Sequence, residues 1–202
     1  MLRHGLIHIF VFVGLLALAG CAEEETSYAN QTQQFETFLS GSHVPSLVSE
    51  EVAAASTEEL EFYEKMGQTA YRYIRHYYDP ERESRPEVEW GDRISMTFWI
   101  YSFENRAITI NTMPLYTNDG ALRAALIETG LNVGYWSFEP LEVTVGETPI
   151  LKGAELALPG CREKDTVEVY MTYNLAYGSG LVGIIPEETP VAFFYTIDSV
   201  EK

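Results

Sequence analysis

The sequence predicts an α+β domain, an antiparallel sheet of five or six strands wrapped around one short helix, and two observations carry that expectation. Several segments alternate apolar residues with polar or aromatic ones, the two-residue period of strands with one buried face. The stretches with helical spacing between them are short and stop at Gly or Pro. Strands that far outnumber and outlast the helices fit an antiparallel sheet packed on a small helical layer.

Taken in order, the first 20 residues hold one formal charge, Arg3, and an apolar run from Ile9 to Gly20. That run is too short to span a bilayer as a helix and reads as an export signal. Residues 21–56 are polar and acidic, broken by Gly41 and Pro45, and Phe35, Phe38 and Leu39 within them show no sustained period. They are expected to form a flexible tether. Ser56-Thr57-Glu58-Glu59 has a serine three positions before a glutamate, a capping-box pattern. It predicts a short helix over 57–68 that Gly67 ends as a left-handed cap. The domain proper is expected over 69–202.

Within that domain, residues 71–78 are rich in Tyr and follow Gly67, which favours a strand, while positions 70, 74 and 77 also recur at helical spacing. Pro80 and Pro86 bracket a charged loop. Beyond Gly91, Ile94, Met96, Phe98 and Ile100 alternate with Ser95, Thr97, Trp99 and Tyr101, a half-buried strand. Asn118-Asp119-Gly120 opens a short helix that stops at Gly130. Leu141, Val143 and Val145 make a brief strand, and residues 155–158 form at most two helical turns before Pro159 and Gly160. Two further strands follow. Val167, Val169, Met171 and Tyr173 alternate with Glu168, Tyr170 and Thr172, and Val191, Phe193, Tyr195 and Ile197 alternate with Ala192, Phe194, Thr196 and Asp198.

Charge and composition narrow the function. The chain carries 13 Lys+Arg against 30 Asp+Glu, a net charge of −17, and loss of residues 1–20 would remove one further base. Such a field repels phosphate backbones, so nucleic acid is excluded as a partner. Two of the four histidines, His4 and His8, lie in the export signal, which leaves His43, His76 and Cys161 as the non-lipidated His and Cys of the exported chain. That set is too thin for a zinc site or a Ser-His or Cys-His nucleophile, and no metal or cofactor is expected.

Leu18-Ala19-Gly20-Cys21 resembles the lipobox of bacterial lipoproteins, in which the cysteine is acylated and becomes the new N-terminus. The resemblance implies a chain anchored to the lipid bilayer through Cys21, in the bacterial cell envelope and most simply at the outer membrane. The alternative, a secreted chain in which Cys21 joins a disulfide, has Cys161 as its candidate partner. Glu23-Glu24-Glu25 resembles the acidic export signals of surface-exposed lipoproteins and equally fits a solvated tether.

Gly178-Ser179-Gly180-Leu181-Val182-Gly183 matches the G-x-G-x-x-G dinucleotide pattern. That motif works by opening a helix whose N-terminus holds the pyrophosphate, and here Pro186 and a β-branched, aromatic strand follow instead. Nucleotide binding is excluded on that ground.

Three other stretches point elsewhere. Pro149-Ile150-Leu151-Lys152-Gly153-Ala154-Glu155 is similar to a V-I-x-G-W-E motif, Asn174-Leu175-Ala176-Tyr177-Gly178 to A-Y-G, and Gly183-Ile184-Ile185-Pro186 to G-x-I-P-P. Phe193 falls at the aromatic of a last strand, and Gly91-Asp92 with the strand through Phe98 is similar to G-D/Q-x-V-x-V-x-Y. Together these resemble FKBP-type peptidyl-prolyl isomerases, the macrolide-binding immunophilins, over residues 70–202 with an insertion around 110–138.

The resemblance implies isomerisation of X-Pro amides in proline-containing polypeptide segments. It gives hydrogen-bonding roles to the Tyr177 hydroxyl and the Leu151 N–H, and places Phe98, Ile150, Ile184, Ile185 and Phe193 in the pocket walls over Ala154 as its floor. Three departures accompany it. Ala154 stands where the family has tryptophan, and Phe98 where it has a tyrosine. The family's F-D pair matches either Ile108-Thr109 or Leu115-Tyr116, neither of which brings a carboxylate. Tyr135, Trp136 and Phe138 in the insertion are candidates to refill the pocket. Cys161 replaces a core methionine and is expected to be a buried, inert thiol. Without the family, Phe98, Ile150, Ile185 and Phe193 read as ordinary core. The alternative function is a module that has lost catalysis and binds protein segments or builds a surface assembly.

Overall fold

The computed structural model describes residues 27–202. The export signal over 1–20, the lipidation candidate Cys21 and the acidic run Glu23-Glu24-Glu25 lie outside them. The chain is α+β, as expected, with an eight-stranded sheet. In chain order the elements are α1 (27–41), β1 (Val48–Ser49), α2 (Glu50–Ala55), β2 (Phe62–Met66), β3 (Ala70–Ile74), β4 (Arg93–Ser102) and β5 (Tyr116–Thr117). They continue with α3 (Arg123–Glu128), β6 (Leu141–Thr144), α4 (Lys152–Ala157), β7 (Thr166–Met171) and β8 (Val191–Glu201).

The sheet runs β1-β2-β3-β7-β8-β4-β5, and β6 pairs with β4 beside β5. All pairings are antiparallel except β1 with β2. The alternation read in β4, β7 and β8 is realised. Ile94, Met96, Phe98, Val167, Val169 and Phe193 form one core with Ala154, Ala157 and Leu158, so the sheet closes around α4. Helix and sheet meet closely at Gly153, where an added Cβ would lie 2.7 Å from Met171 Sδ and 2.8 Å from its Cβ. Arg72 on β3 closes the other end of α4, its Nη1 donating to the carbonyls of Ala157 (2.9 Å) and Pro159 (2.6 Å). A cation at a helix C-terminus answers the unpaired carbonyls and the negative end of the dipole there.

The opposite face of the sheet corrects the expected tether. Residues 27–41 are helical, and Phe35, Phe38 and Leu39, at i, i+3 and i+4, are buried against Tyr71, Tyr73, Tyr101, Phe103 and Tyr170. Phe35 meets Phe103 edge-on at 4.8 Å and Tyr71 at 5.8 Å, and Phe38 meets Tyr170 at 5.6 Å. Each such side chain contributes about 2 kcal/mol on burial, which more than answers the weak intrinsic pattern of α1. Helix α1 ends at a polar lock. His43 Nε2 bonds Glu168 Oε2 on β7 at 3.0 Å, and the same carboxylate accepts from Arg75 Nη2 (2.6 Å) and the Tyr170 hydroxyl (2.5 Å). The sheet therefore lies between two helical layers, α1 outside and α4 inside.

The helix expected over 57–68 is also corrected. Ser56 Oγ accepts from the N–H of Glu58 at 2.9 Å, a turn two residues long instead of a cap bond three residues on. Residues 62–66 then pair with β3 across a turn at 67–69, with Glu64 opposite Arg72 and joined to it by an ion pair. The pairing partner overrides the local capping signal. Residues of α1, β1 and β2, ahead of 69, are consequently packed into the fold, and β1 and β2 raise the strand count above the expected five or six.

Candidate functional site

The inner core opens at one end into an apolar cleft of about 370 Å³. Tyr177, Ile184 and Ile185 line it from the segment joining β7 to β8, Tyr116 from β5, and Leu131 and Trp136 from the 110–138 insertion.

Local backbone geometry sets Tyr177 at the lip. After β7 a single 3-10 turn, Tyr173–Leu175, reverses the chain, and the N–H groups of Ala176 and Gly178 both donate to Tyr173 O at 3.0 and 2.8 Å. Gly178 takes φ of 79°, a left-handed conformation that a side chain disfavours. Tyr177 is thereby half-buried on the rim of the inner core. Burial, with the neighbouring Tyr116, pushes its hydroxyl up to about 12, so it is a neutral donor at physiological pH. No hydrogen bond to it occurs among the described residues. Further along, Val182 and Ile185 exchange N–H···O bonds of 3.1 and 2.9 Å. That tight reversal turns Ile185 inward at 7% exposure and leaves Ile184 outward at 60%.

An aromatic series connects the core to the cleft. Phe193 stacks on Phe98 at 5.5 Å, Phe98 meets Tyr116 edge-on at 5.3 Å, and Tyr116 meets Trp136 at 4.9 Å and 88°. Asn118 holds the series in place. Its Oδ1 accepts from Phe98 N at 2.7 Å, and its Nδ2 donates to Met96 O and to Glu139 O, both at 3.0 Å. One buried carboxamide thus ties the far end of the insertion to β4.

The residues named from the sequence separate into three groups. Tyr177, Ile184 and Ile185 come together in the cleft. Phe98, Phe193 and Ala154, at 4%, 4% and 0% exposure, are the core beneath it and do not form its walls. Ile150 and Leu151 are half-buried on the rim of that core at the start of α4, and the Leu151 N–H has no partner among the described residues. Of the pairs considered for F-D, Leu115-Tyr116 lies at the cleft, whereas Ile108-Thr109 line a separate depression formed by residues 101–115. Among the described residues no carboxylate lines the cleft. Of the three aromatics expected from the insertion, Trp136 reaches the cleft, Tyr135 is 95% exposed, and Phe138 lies under the Arg123 guanidinium at 5.5 Å.

Leu131, which lines the cleft, was not singled out from sequence, because it follows the Gly130 stop with no periodicity to mark it. Cys161 is a free, wholly buried thiol donating to Ala157 O at 3.1 Å, and burial pushes its pKa up. No helix opens after Gly183, so no pyrophosphate site exists at the glycine motif. Among the described residues no group of His, Cys, Asp or Glu could hold a metal, and no helix is long and apolar enough to cross a membrane.

No family model matches the chain, and no curated protein matches it. Among solved structures it is similar to the N-terminal domain of FKBP42 from Arabidopsis thaliana, with TM-score 0.46 and 10% identity, over 69% of this chain and 92% of that one. It is also similar to FkpA from Escherichia coli, with TM-score 0.46 and 12% identity, over 100% of this chain and 73% of that one.

Proposed function

We propose that the protein is an exported, lipid-anchored peptidyl-prolyl cis-trans isomerase that acts on proline-containing polypeptide segments in the bacterial cell envelope, attached to the outer membrane through acylated Cys21. The observation that carries the reading is the neutral Tyr177 hydroxyl, without a partner among the described residues, at the lip of an apolar cleft walled by Trp136, Ile184 and Ile185. Rotation about an X-Pro bond is slow because twisting breaks amide resonance, a barrier of about 18–20 kcal/mol. An apolar cleft that takes the proline ring strips water from the planar, polar amide and favours the less polar twisted form. The Tyr177 O–H holds the flanking carbonyl; Leu151, whose N–H has no partner among the described residues, packs against the same core without lining the cleft. The reaction asks for no nucleophile, metal or cofactor. Cys161, enclosed in the core, is no disulfide partner for Cys21 without unfolding, which supports acylation.

A second reading, a segment-binding module without catalysis, is favoured by the buried Ala154 and by the lack of a carboxylate at the cleft. Acceleration of cis/trans exchange in an X-Pro peptide separates the two. The isomerase reading expects catalysis that Tyr177→Phe lowers by about tenfold, the equivalent of one hydrogen bond to the twisted amide. Binding of the peptide with no acceleration supports the second reading, and absence of both overturns the assignment of the cleft.

A further inference from the structure

The segment that carries Tyr177, Ile184 and Ile185 is a long excursion from the sheet, leaving β7 at Met171 and rejoining at Val191. Its internal bonds are local: the turn around Tyr173 and the reversal between Val182 and Ile185. The two ends themselves meet in the sheet, where Met171 pairs with Val191. Just beyond that last pair, a side chain from α1 bridges the neck. Gln31, in the first turns of α1, accepts from the Tyr173 N–H through Oε1 at 3.2 Å and donates through Nε2 to Glu188 O at 3.0 Å. A carboxamide is suited to this task because it offers one acceptor and one donor side by side, and a carboxylate or an ammonium offers only one kind. The Tyr28 ring adds a contact on Tyr173 at 4.9 Å between centroids.

We propose that Gln31 is a positioning residue for the cleft, closing the neck of the 173–188 excursion so that Tyr177 and the Ile184-Ile185 wall face Trp136. Helix α1 is then part of the frame of the site and not only a cover for the outer face of the sheet. This rests on the cleft being the working site, and the experiment keeps that question apart from the neck closure itself.

Amide hydrogen exchange and X-Pro peptide turnover are measured on the full chain as Gln31→Leu, Gln31→Glu and, as a control on the exposed side of α1, Gln34→Leu. Loss of both neck bonds in Gln31→Leu is expected to speed exchange over 174–187 by about tenfold, while exchange in β4 and β8 stays as in the wild type. Turnover should fall through a raised KM with kcat largely kept, because the wall is displaced and not removed. Gln31→Glu keeps the acceptor for Tyr173 and loses the donor to Glu188, so faster exchange should be confined to the 186–189 end. Gln34→Leu should match the wild type in both measurements. Unchanged exchange over 174–187 in Gln31→Leu overturns the proposal, as does a rise spread equally over β4 and β8, the sign of general destabilisation. A wild type without turnover overturns the isomerase reading, while the exchange pattern still decides the role of Gln31.

Discussion

In the proposed site, Tyr177 is the polar handle and Trp136 an apolar wall. Trp136 meets Tyr116 edge-on and is only half-buried in the free protein, so much of its face is left for a ligand. Truncation removes that face without hollowing the core. Trp136→Ala is expected to weaken binding of an apolar X-Pro peptide by about tenfold or more, from the ~1.5–3 kcal/mol that burying such a side chain contributes. The melting temperature should move little, because the Phe98–Phe193 stack and Asn118 still hold β4 and β5. Titration calorimetry beside a thermal melt checks both halves; a large fall in melting temperature would mean that Trp136 serves the core first. Ala154, expected from the resemblance as the pocket floor, is buried on α4, and the aromatic wall of the cleft comes from Trp136.

At the level of elements, α1 makes the largest difference to the molecule. Its Phe35, Phe38 and Leu39 cover an aromatic sheet face that would otherwise meet water. Its C-terminal end is pinned by His43 to Glu168. Burial raises the Glu168 carboxyl, but hydrogen bonds from His43 and Tyr170 and the Arg75 charge outweigh it and hold the group below its ordinary value of 4.5. A carboxyl depressed in the folded state contributes stability above its unfolded pKa and loses that contribution as pH falls through the folded one. Stability should therefore be level near neutrality and decline once the pH drops below about 4.5. In Glu168→Gln the starting stability is lower and the acid decline shallower. Chemical denaturation at a series of pH values measures it, and equal slopes in the two proteins would remove Glu168 from the account.

Over the whole molecule, the ordering of α1 shortens the link to the proposed anchor. With Cys21 acylated, residues 22–26 stand between the lipid and the first described turn of α1, a reach of at most about 20 Å. The domain, its acidic field included, would be kept close to the bilayer. Detergent phase partition checks the anchor: the wild type should enter the detergent phase and Cys21→Ser the aqueous phase. Aqueous partition of both would rule out acylation.

The alternation in β4, β7 and β8 was readable because a strand with one face on a helix must place apolar residues two apart, whatever its neighbours. Tyr177 with the Ile184-Ile185 wall was readable too, since the turn at Gly178 and the reversal before Pro186 are local. Tyr71, Tyr73, Tyr170 and Phe194 carried the signal of a second apolar face, yet nothing in their periods says which segment covers it. Residues 35, 38 and 39 become a helix face only against those rings, and residues 62–66 become a strand only against β3. The choice of Trp136 over Tyr135 for the cleft, and of Gln31 for its neck, depends on contacts between segments far apart in the chain. Such contacts are set by the packing of the two layers on the sheet, and no local pattern of residues encodes them.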